Sequence, residues 1–385
     1  MNYRFVRLTN YYPQVIDWFY KTNPAAASAS YNRQYQNISA NVLDQVSAYI
    51  HELNNFGYEA TEIISNAKDL QLAWLIENRF TPTLPVNETV LNQLKKLKPD
   101  ILWIDDLSLA EPYFISAIRS SIPELKLLIT HLCAPYNKSI ETKLKFFDLV
   151  ITCTPAFANE LKSLGLNSTL IYHGFDSRIL DFLKPVPAQQ HAIVFSGSLY
   201  TGSAYHQGRI RFLEKMINAG LDLEIFANTE SRLKFTARKI YELLKHDFGR
   251  SLNTKYYSRN LKQKIKAPVF GKEMYTLLGN SKICFNMHGE VAGNSAGNIR
   301  LFEATGMGTC LVTDYKDNIH ELFEPEKEIV TYRSAEECID KIKWLLNHPD
   351  DMEKIAKAGQ QRTLRDHTIA KRAAQLNEII SRHLK

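Results

Sequence analysis

No stretch of the 385-residue chain keeps the ~20 consecutive apolar residues that a bilayer-spanning helix needs. Met1-Asn2-Tyr3-Arg4 runs straight into a strand-like segment, without a signal-peptide hydrophobic core. The expectation is a cytoplasmic protein. Cysteine is sparse: Cys133, Cys153, Cys284, Cys310 and Cys338 are scattered, odd in number, and form no C-x-x-C pair. That excludes a disulfide scaffold, and their apolar surroundings read as buried free thiols rather than a metal or redox set. Glycine is nearly missing from the first half, where only Gly57 and Gly165 precede position 170. The first strand is followed by Thr9-Asn10-Tyr11-Tyr12-Pro13 and not by G-x-G-x-x-G, which disfavours a nicotinamide-dependent dehydrogenase. No G-x-x-x-x-G-K-[ST] is present either, so a P-loop kinase is equally disfavoured.

What is present is an ordinary globular balance, 45% hydrophobic and 23% charged residues, over a length that suits two cores. Net charge is +6 but unevenly spread, since Ser231–Lys266 holds eleven Lys or Arg against Glu242 and Asp247. Such a block attracts an anionic membrane surface or a phosphorylated substrate through its field, or is simply a solvated helical face. Nucleic acid is not the expected partner.

Strands alternate with helices, which predicts an α/β fold of parallel sheets covered on both faces. The first series of strands is Arg4–Leu8, Glu59–Ile64, Ile101–Ile104, Leu125–Thr130, Leu149–Thr152 and Thr169–Tyr172. Helices are expected over Val42–Asn55 and Pro155–Leu164. Lys184–His191, with two prolines and no periodicity, reads as a linker. A second series follows: Ala192–Phe195, Leu223–Phe226, Pro268–Phe270, Ile283–Asn286, Cys310–Thr313 and Ile329–Tyr332, with a helix at Ser334–Asn347 opened by a Ser334-x-x-Glu337 capping box. The expected division is therefore a Rossmann-like domain over 1–183, a linker at 184–191, a second Rossmann-like domain over 192–365, and a terminal helix over 366–385 that returns to the first. Within the tail, Gly359 reads as a loose point and Arg362–Thr368 as exposed.

Fourteen of the sixteen glycines lie beyond position 170, five of them from Gly289 to Gly308, so a ligand site belongs mainly to the second half. Ser196-Gly197-Ser198 reads as a small-residue loop after a strand, leading to a basic helix with His206 and Arg209. Such loops turn N–H groups toward an anion, although glycine-serine turns are also common without one. After the strand ending near Asn286 comes a polar glycine-lined loop to Gly297, then a short helix with Asn298 as its N-cap and Ile299 next. Arg300 supplies a cation suited to a diphosphate. Glu303 suits two vicinal hydroxyls, or merely compensates a helix dipole.

The run Asn298-x-Arg300-x-x-Glu303-Ala304-x-Gly306-x-Gly308, with Leu322-Phe323-Glu324-Pro325-x-x-Glu328-Ile329-Val330 beyond it, resembles the CgeB-like branch of the GT-B glycosyltransferases. Val194–Ser198 with His206 and Arg209, Pro268-Val269-Phe270-Gly271, and Asp366-His367-Thr368 with Arg372 agree with it, and the first half matches less sharply through Tyr12-Pro13, Tyr31 and Asn66-x-x-x-x-Gln71-x-x-Trp74. The resemblance implies two Rossmann-like domains facing a cleft and transfer of a sugar from a nucleotide diphosphate donor to a glycan, lipid-linked or protein acceptor, with no metal or other cofactor required. It implies that Ser196, Gly197, Ser198, Arg209, Phe270, Gly271, Lys272, Gly297, Asn298, Ile299, Arg300 and Glu303 bind the donor. Arg300 and Glu303 would also serve catalysis, with His131 of the first domain beside the sugar; a core histidine is the other reading of His131. Asp105-Asp106 is a poor substitute for a metal-binding D-x-D. Ser295 stands where related retaining enzymes carry a second glutamate, eight positions before Glu303. An epimerase on the same fold, or a binding module that has lost catalysis, are the alternatives. Thr22–Ser39 reads as a long loop, either docking an acceptor or merely mobile.

Overall fold

The computed structural model describes residues 3–134, 136–183, 190–202, 204–244, 255–289 and 293–384. They divide into two units, Met1–Ile179 with Asp366–Lys385, and Leu180–Arg365. Of the linker expected at 184–191, residues 184–189 lie outside the described set; Gln190 and His191 donate their N–H groups to the Asn280 carbonyl, and His191 opens a strand.

The first unit is a six-stranded sheet in the order β2-β1-β3-β4-β5-β6, every pair parallel. Its strands are β1 (Arg4–Thr9), β2 (Glu59–Ile64), β3 (Ile101–Ile104), β4 (Leu127–Leu132), β5 (Leu149–Thr152) and β6 (Ser168–Leu170). Near-continuous apolar runs are what a sheet covered on both faces requires. Alternation along each strand feeds two cores. Phe5, Ile101, Trp103, Ile129 and Ile151 pack on one side with Ala48, Tyr49 and Leu53. Val6, Leu102, Ile104, Leu128 and Val150 pack on the other with Val90, Leu94, Phe114 and Ile118.

The tail completes the first of these cores. Helix Pro349–Asp366 ends at His367, and helix Ile369–His383 places Ile369, Ala373, Leu376 and Ile380 among the residues around Phe5 and Trp103. A backbone clip holds the crossing: Phe175 N–H donates to the His367 carbonyl at 2.8 Å and Ile369 N–H to the Phe175 carbonyl at 2.9 Å. At Gly174 a Cβ would meet the His367 and Ile369 backbone at 3.1 Å, so only glycine fits comfortably. Two expectations for the tail are corrected. Thr363, His367 and Thr368 are buried, the first with its hydroxyl on that of Thr305 and the other two at the clip. Gly359 is not loose but sits inside a helix where a Cβ would lie 2.3 Å from the Glu328 carbonyl, so the missing side chain permits close backbone approach.

The loop expected at Thr22–Ser39 is mostly helical, with helix Pro13–Thr22, a 3-10 turn at Pro24–Ser28 and helix Tyr31–Val42. Polar composition hid a stripe of Gln34, Ile38 and Val42 buried at helical spacing. The helix expected over Val42–Asn55 is two elements, since Leu43 turns left-handed at φ 52° and Asp44 caps Gln45–Asn55.

The second unit has the sheet order β12-β11-β10-β7-β8-β9, again all parallel. The strands are β7 (His191–Leu199), β8 (Leu223–Thr229), β9 (Ile265–Lys266), β10 (Ser281–Asn286), β11 (Cys310–Asp314) and β12 (Val330–Tyr332). Counted from β7, this is the doubly wound order 3-2-1-4-5-6. Pro268–Phe270 is no strand: proline cannot donate to a ladder, and pairing stops at Lys266. Ser334 caps helix Ala335–Asn347, accepting from Glu337 N–H, while the Glu337 carboxylate accepts from Arg333 N–H.

Candidate functional site

In a doubly wound sheet the strand order reverses at one point, and ligands bind beyond the carboxyl ends of the strands there. In the second unit that point lies between β7 and β10, the strands that carry the serine-glycine run and lead into the glycine-lined loop. Ser196–Ser198 are not a loop. They continue β7, pairing with Phe226, Ala227 and Asn228 of β8, beyond the last residue that β10 pairs. What the arginines meet there is carbonyl oxygen.

Arg209, on helix Ala204–Asn218, spans the switch point: Nη1 donates to the Ser198 carbonyl at 3.2 Å and Nη2 to the Met287 carbonyl at 2.8 Å, just past β10. The side chain is buried, with its guanidinium over the Phe195 ring. Burial lowers the Arg209 pKa to about 10, against the opposing influence of Tyr332 and Asp314. A guanidinium already stripped of water binds an incoming anion strongly.

Arg300 opens helix Arg300–Gly306 and lies within 3.5 Å of the Ser196 carbonyl, two residues along β7 from the carbonyl that Arg209 holds. Its Nη1 pairs with Glu303 Oε2 at 2.8 Å, one helical turn on, and its buried Nε has no hydrogen-bond partner among the described residues. Glu303 is itself buried, and the Tyr275 hydroxyl lies 3.4 Å from its other oxygen. Tyr275 comes from helix Gly271–Gly279, which starts at the expected Phe270-Gly271-Lys272 turn. There Gly271 takes φ 52°, a conformation that favours glycine.

Asn298 does not cap by its side chain. That side chain exchanges hydrogen bonds with Asn286 at the end of β10, Ile299 occupies the cap position, and the helix has only seven residues. Its dipole is correspondingly small, and the charge at this end of the sheet resides in the arginines. Gly297 is buried, and the loop before it is pinned from β11's side: Asn318 bonds both the N–H and the carbonyl of Ala296, and Lys316 Nζ reaches the Gly293 carbonyl. Residues 290–292 of this loop lie outside the described set.

Sequence reasoning passed over His288. It is buried two residues past β10, with its N–H and its Nδ1 both on Asp314 Oδ1, at 2.8 and 2.7 Å. Although burial alone would raise it, Asp314 is held down at about 2 by these bonds and by Lys316. His288 Nε2 has no hydrogen-bond partner among the described residues. The available signal was a histidine just past one strand and an aspartate ending the neighbouring one.

The structure thus gathers Ser196–Ser198, Arg209, Gly297–Arg300 and Glu303 at one end of the second sheet, with Phe270, Gly271 and Lys272 on the helix that supplies Tyr275. His131 belongs to the first unit, on β4, with its ring near Trp103 and His173. Burial lowers it to about 4, so it is neutral near pH 7. Asp105 is committed to a bidentate pair with Arg7, and Asp106 accepts from Asn10 and from Ser108 N–H. The expectation of five free thiols fails: Cys133 and Cys153 are joined in a disulfide, which the 20-residue separation concealed, while Cys284, Cys310 and Cys338 are free and buried. The basic block is partly neutralised by ion pairs as well, since Arg238 pairs with Glu230 and Glu242, and Lys264 with Asp222 at the surface.

No curated protein matches the sequence. Among solved structures, Anabaena HepE in complex with UDP-glucose is similar over 99% of this chain and 100% of its own, at 12% identity and TM-score 0.59. Sucrose-phosphate synthase from Thermosynechococcus elongatus is similar at 11% identity and TM-score 0.56, covering 98% of each chain. The α,α-trehalose 6-phosphate synthase from Burkholderia multivorans is similar at 12% and 0.54, again covering 98% of each. A glycosyl transferase-like family model matches residues 209–378, the span that begins at Arg209 and includes Arg300 and Glu303. The chain therefore has the GT-B fold, and its residues 209–378 match the glycosyl transferase-like family.

Proposed function

We propose that this glycosyltransferase moves a sugar from a nucleotide diphosphate donor, with UDP-sugars as the first candidates, to a glycan or lipid-linked acceptor of the cell surface. The Asn298–Gly308 run supports the CgeB-like branch as its place within the group. The observation that carries the reading is the pair of largely buried arginines on the Ser196 and Ser198 carbonyls at the switch point, with Glu303 one turn from Arg300. Without donor, Arg300 and Glu303 neutralise each other. Donor binding replaces that contact: Arg300 and Arg209 take the diphosphate, and the Glu303 carboxylate accepts from the ribose hydroxyls. Negative charge that builds on the leaving diphosphate then meets cations already in place, so no metal is needed for that step. Phe270, Gly271 and Lys272 border the base, and His288, whose Nδ1 donates to Asp314, offers Nε2 as an acceptor for a donor hydroxyl. The resemblance leaves His131, on β4 of the first unit, as the further catalytic candidate.

Incubation with nucleotide sugars tests this directly, because release of nucleoside diphosphate signals transfer or hydrolysis, an isomerised donor signals an epimerase, and binding without turnover a module. Glu303→Ala is expected to weaken donor binding by about 1.5–3 kcal/mol in calorimetry; unchanged affinity would refute the ribose assignment.

The acceptor reading extends to the membrane. Among the described residues no helix is long and apolar enough to cross one. Helix Arg232–Leu244, however, exposes Leu233, Ile240, Leu243 and Leu244 beside Lys234 and Lys239, a composition that suits lying on an anionic surface. Changing Arg232, Lys234, Lys239 and Lys262 together to Gln is expected to abolish sedimentation with phosphatidylserine vesicles at low salt. Equal sedimentation before and after would leave the block as a solvated face.

A further inference from the structure

The first unit holds a group of soft ligands that the donor chemistry does not use. Cys133 directly follows β4, Cys153 directly follows β5, and His173 lies three residues past β6, so three adjacent parallel strands deliver one ligand each at their carboxyl ends. One ligand atom from each of Cys133, Cys153 and His173 lies within 4.8 Å of the other two. His131, from β4, adds its Nε2 at 3.1 Å from Cys133 Sγ.

The tautomer of His173 is set by its neighbour. Gln45 Nε2 donates to the Gly174 carbonyl at 2.6 Å, which turns Gln45 Oε1 toward His173 Nδ1 at 3.2 Å. An amide oxygen can only accept, so Nδ1 carries the proton and Nε2 keeps its lone pair. Orientation of a ligand imidazole through its other nitrogen is the support that metal-binding histidines need. Tetrahedral zinc, with bonds of roughly 2.0–2.3 Å, holds its ligands roughly 3.3–3.8 Å apart, a spacing this cluster reaches by small side-chain rotations. Two thiolates also cancel the charge of a divalent ion, so the site costs no net buried charge beside Arg7 and Arg372.

We propose that Cys133, Cys153 and His173, with His131 as the fourth ligand, form a site for a zinc-class divalent cation in the dithiol state, and that the disulfide is the metal-free, oxidised form of the same site. Interconversion is balanced as follows. A reducing dithiol or two monothiols give two electrons and two protons to the Cys133–Cys153 bond and become a disulfide; the two thiols then bind one M²⁺ and release two protons. Nothing in this cluster depends on what the second unit binds. His131 Nε2 is committed to the metal in one state and free of it in the other.

Cobalt is the probe. Full-length protein, reduced with a phosphine and kept anaerobic, is expected to bind one Co²⁺ per chain, with an intense thiolate-to-cobalt charge-transfer band and tetrahedral visible bands that Zn²⁺ abolishes. Protein first oxidised with oxidised glutathione should show neither. Cys153→Ser should lose the charge-transfer intensity by at least half, and His173→Gln should lower cobalt affinity at least tenfold with both thiols kept; circular dichroism checks the fold of each. Reduced wild-type protein without a thiolate-to-cobalt band overturns the proposal, as does a His173→Gln variant that binds like the wild type. The buried thiols Cys284, Cys310 and Cys338 cannot imitate the result, since burial pushes all three well above the ordinary thiol range.

Discussion

Replacing Arg300 by Ala is expected to reduce sugar transfer by about 10²–10³-fold, with most of the loss in kcat. The reason for that partition is geometric. Arg209 stays on the Ser198 and Met287 carbonyls and still holds the ground-state diphosphate, so KM changes less than the rate at which the diphosphate leaves. Removing Arg300 also strands the buried Glu303 carboxylate, whose 2.8 Å ion pair it supplies, so part of any loss in a single variant could reflect stability. The double variant Arg300→Ala with Glu303→Gln separates the two effects. It should recover thermal stability by removing the stranded charge while leaving turnover as low as in the single variant. Recovery of turnover along with stability would show that Arg300 serves the fold and not the leaving group.

Glu62 gives the second large effect, on stability and in a defined pH window. It ends up almost completely buried on β2, accepting from the Tyr35 hydroxyl at 3.3 Å, while its Oε1 has no hydrogen-bond partner among the described residues. Burial, then the nearby Asp44, raises its pKa from an ordinary 4.5 to about 8. The folded state therefore keeps the proton that the unfolded chain releases above pH 4.5. The associated stability is fully present below that pH and is lost progressively as pH rises through about 8. Glu62→Gln, which stays neutral, should match the wild type near pH 4.5 and become more stable than it by on the order of 2–4 kcal/mol near pH 8.5, measured by urea denaturation at each pH. A difference that does not grow with pH would mean that Glu62 is ionised in the folded protein. Taking the difference between the two proteins cancels His131 and His173, whose burial lowers them to about 4 and 3 and which titrate in both.

Most strands were legible because parallel sheets leave a trace of short apolar runs spaced by helices; Glu59–Ile64, Ile101–Ile104 and Leu149–Thr152 stand where the pattern put them, while the two-residue β9 was misplaced at Pro268–Phe270. Arg300 and Glu303 stood out as opposite charges one helical turn apart, straight after a glycine-lined loop, and the structure joins them as an ion pair. Other features hid for physical reasons. Ser196–Ser198 look like a turn by composition, yet pairing to β8 carries them as strand, so their chemistry lies in carbonyls that no side-chain pattern announces. His288 needs Asp314 to acquire meaning, and the two meet only through sheet register. Cys133, Cys153 and His173 are brought together by three successive crossovers, a closeness that separation along the chain conceals.

The first unit is not contiguous in the chain. Its sheet is written within the first 179 residues, but the apolar side of its principal core is closed by Ile369, Ala373, Leu376 and Ile380 from the last helix. On the ribosome the amino-terminal lobe therefore waits, with Phe5, Trp103 and Ile129 partly uncovered, until the whole intervening lobe has been made and the terminus emerges. A nonsense codon or protease cut near position 366 would injure the end of the protein synthesised first, about 1.5–3 kcal/mol for each large side chain withdrawn, and would leave Arg209 and Arg300 in the chain.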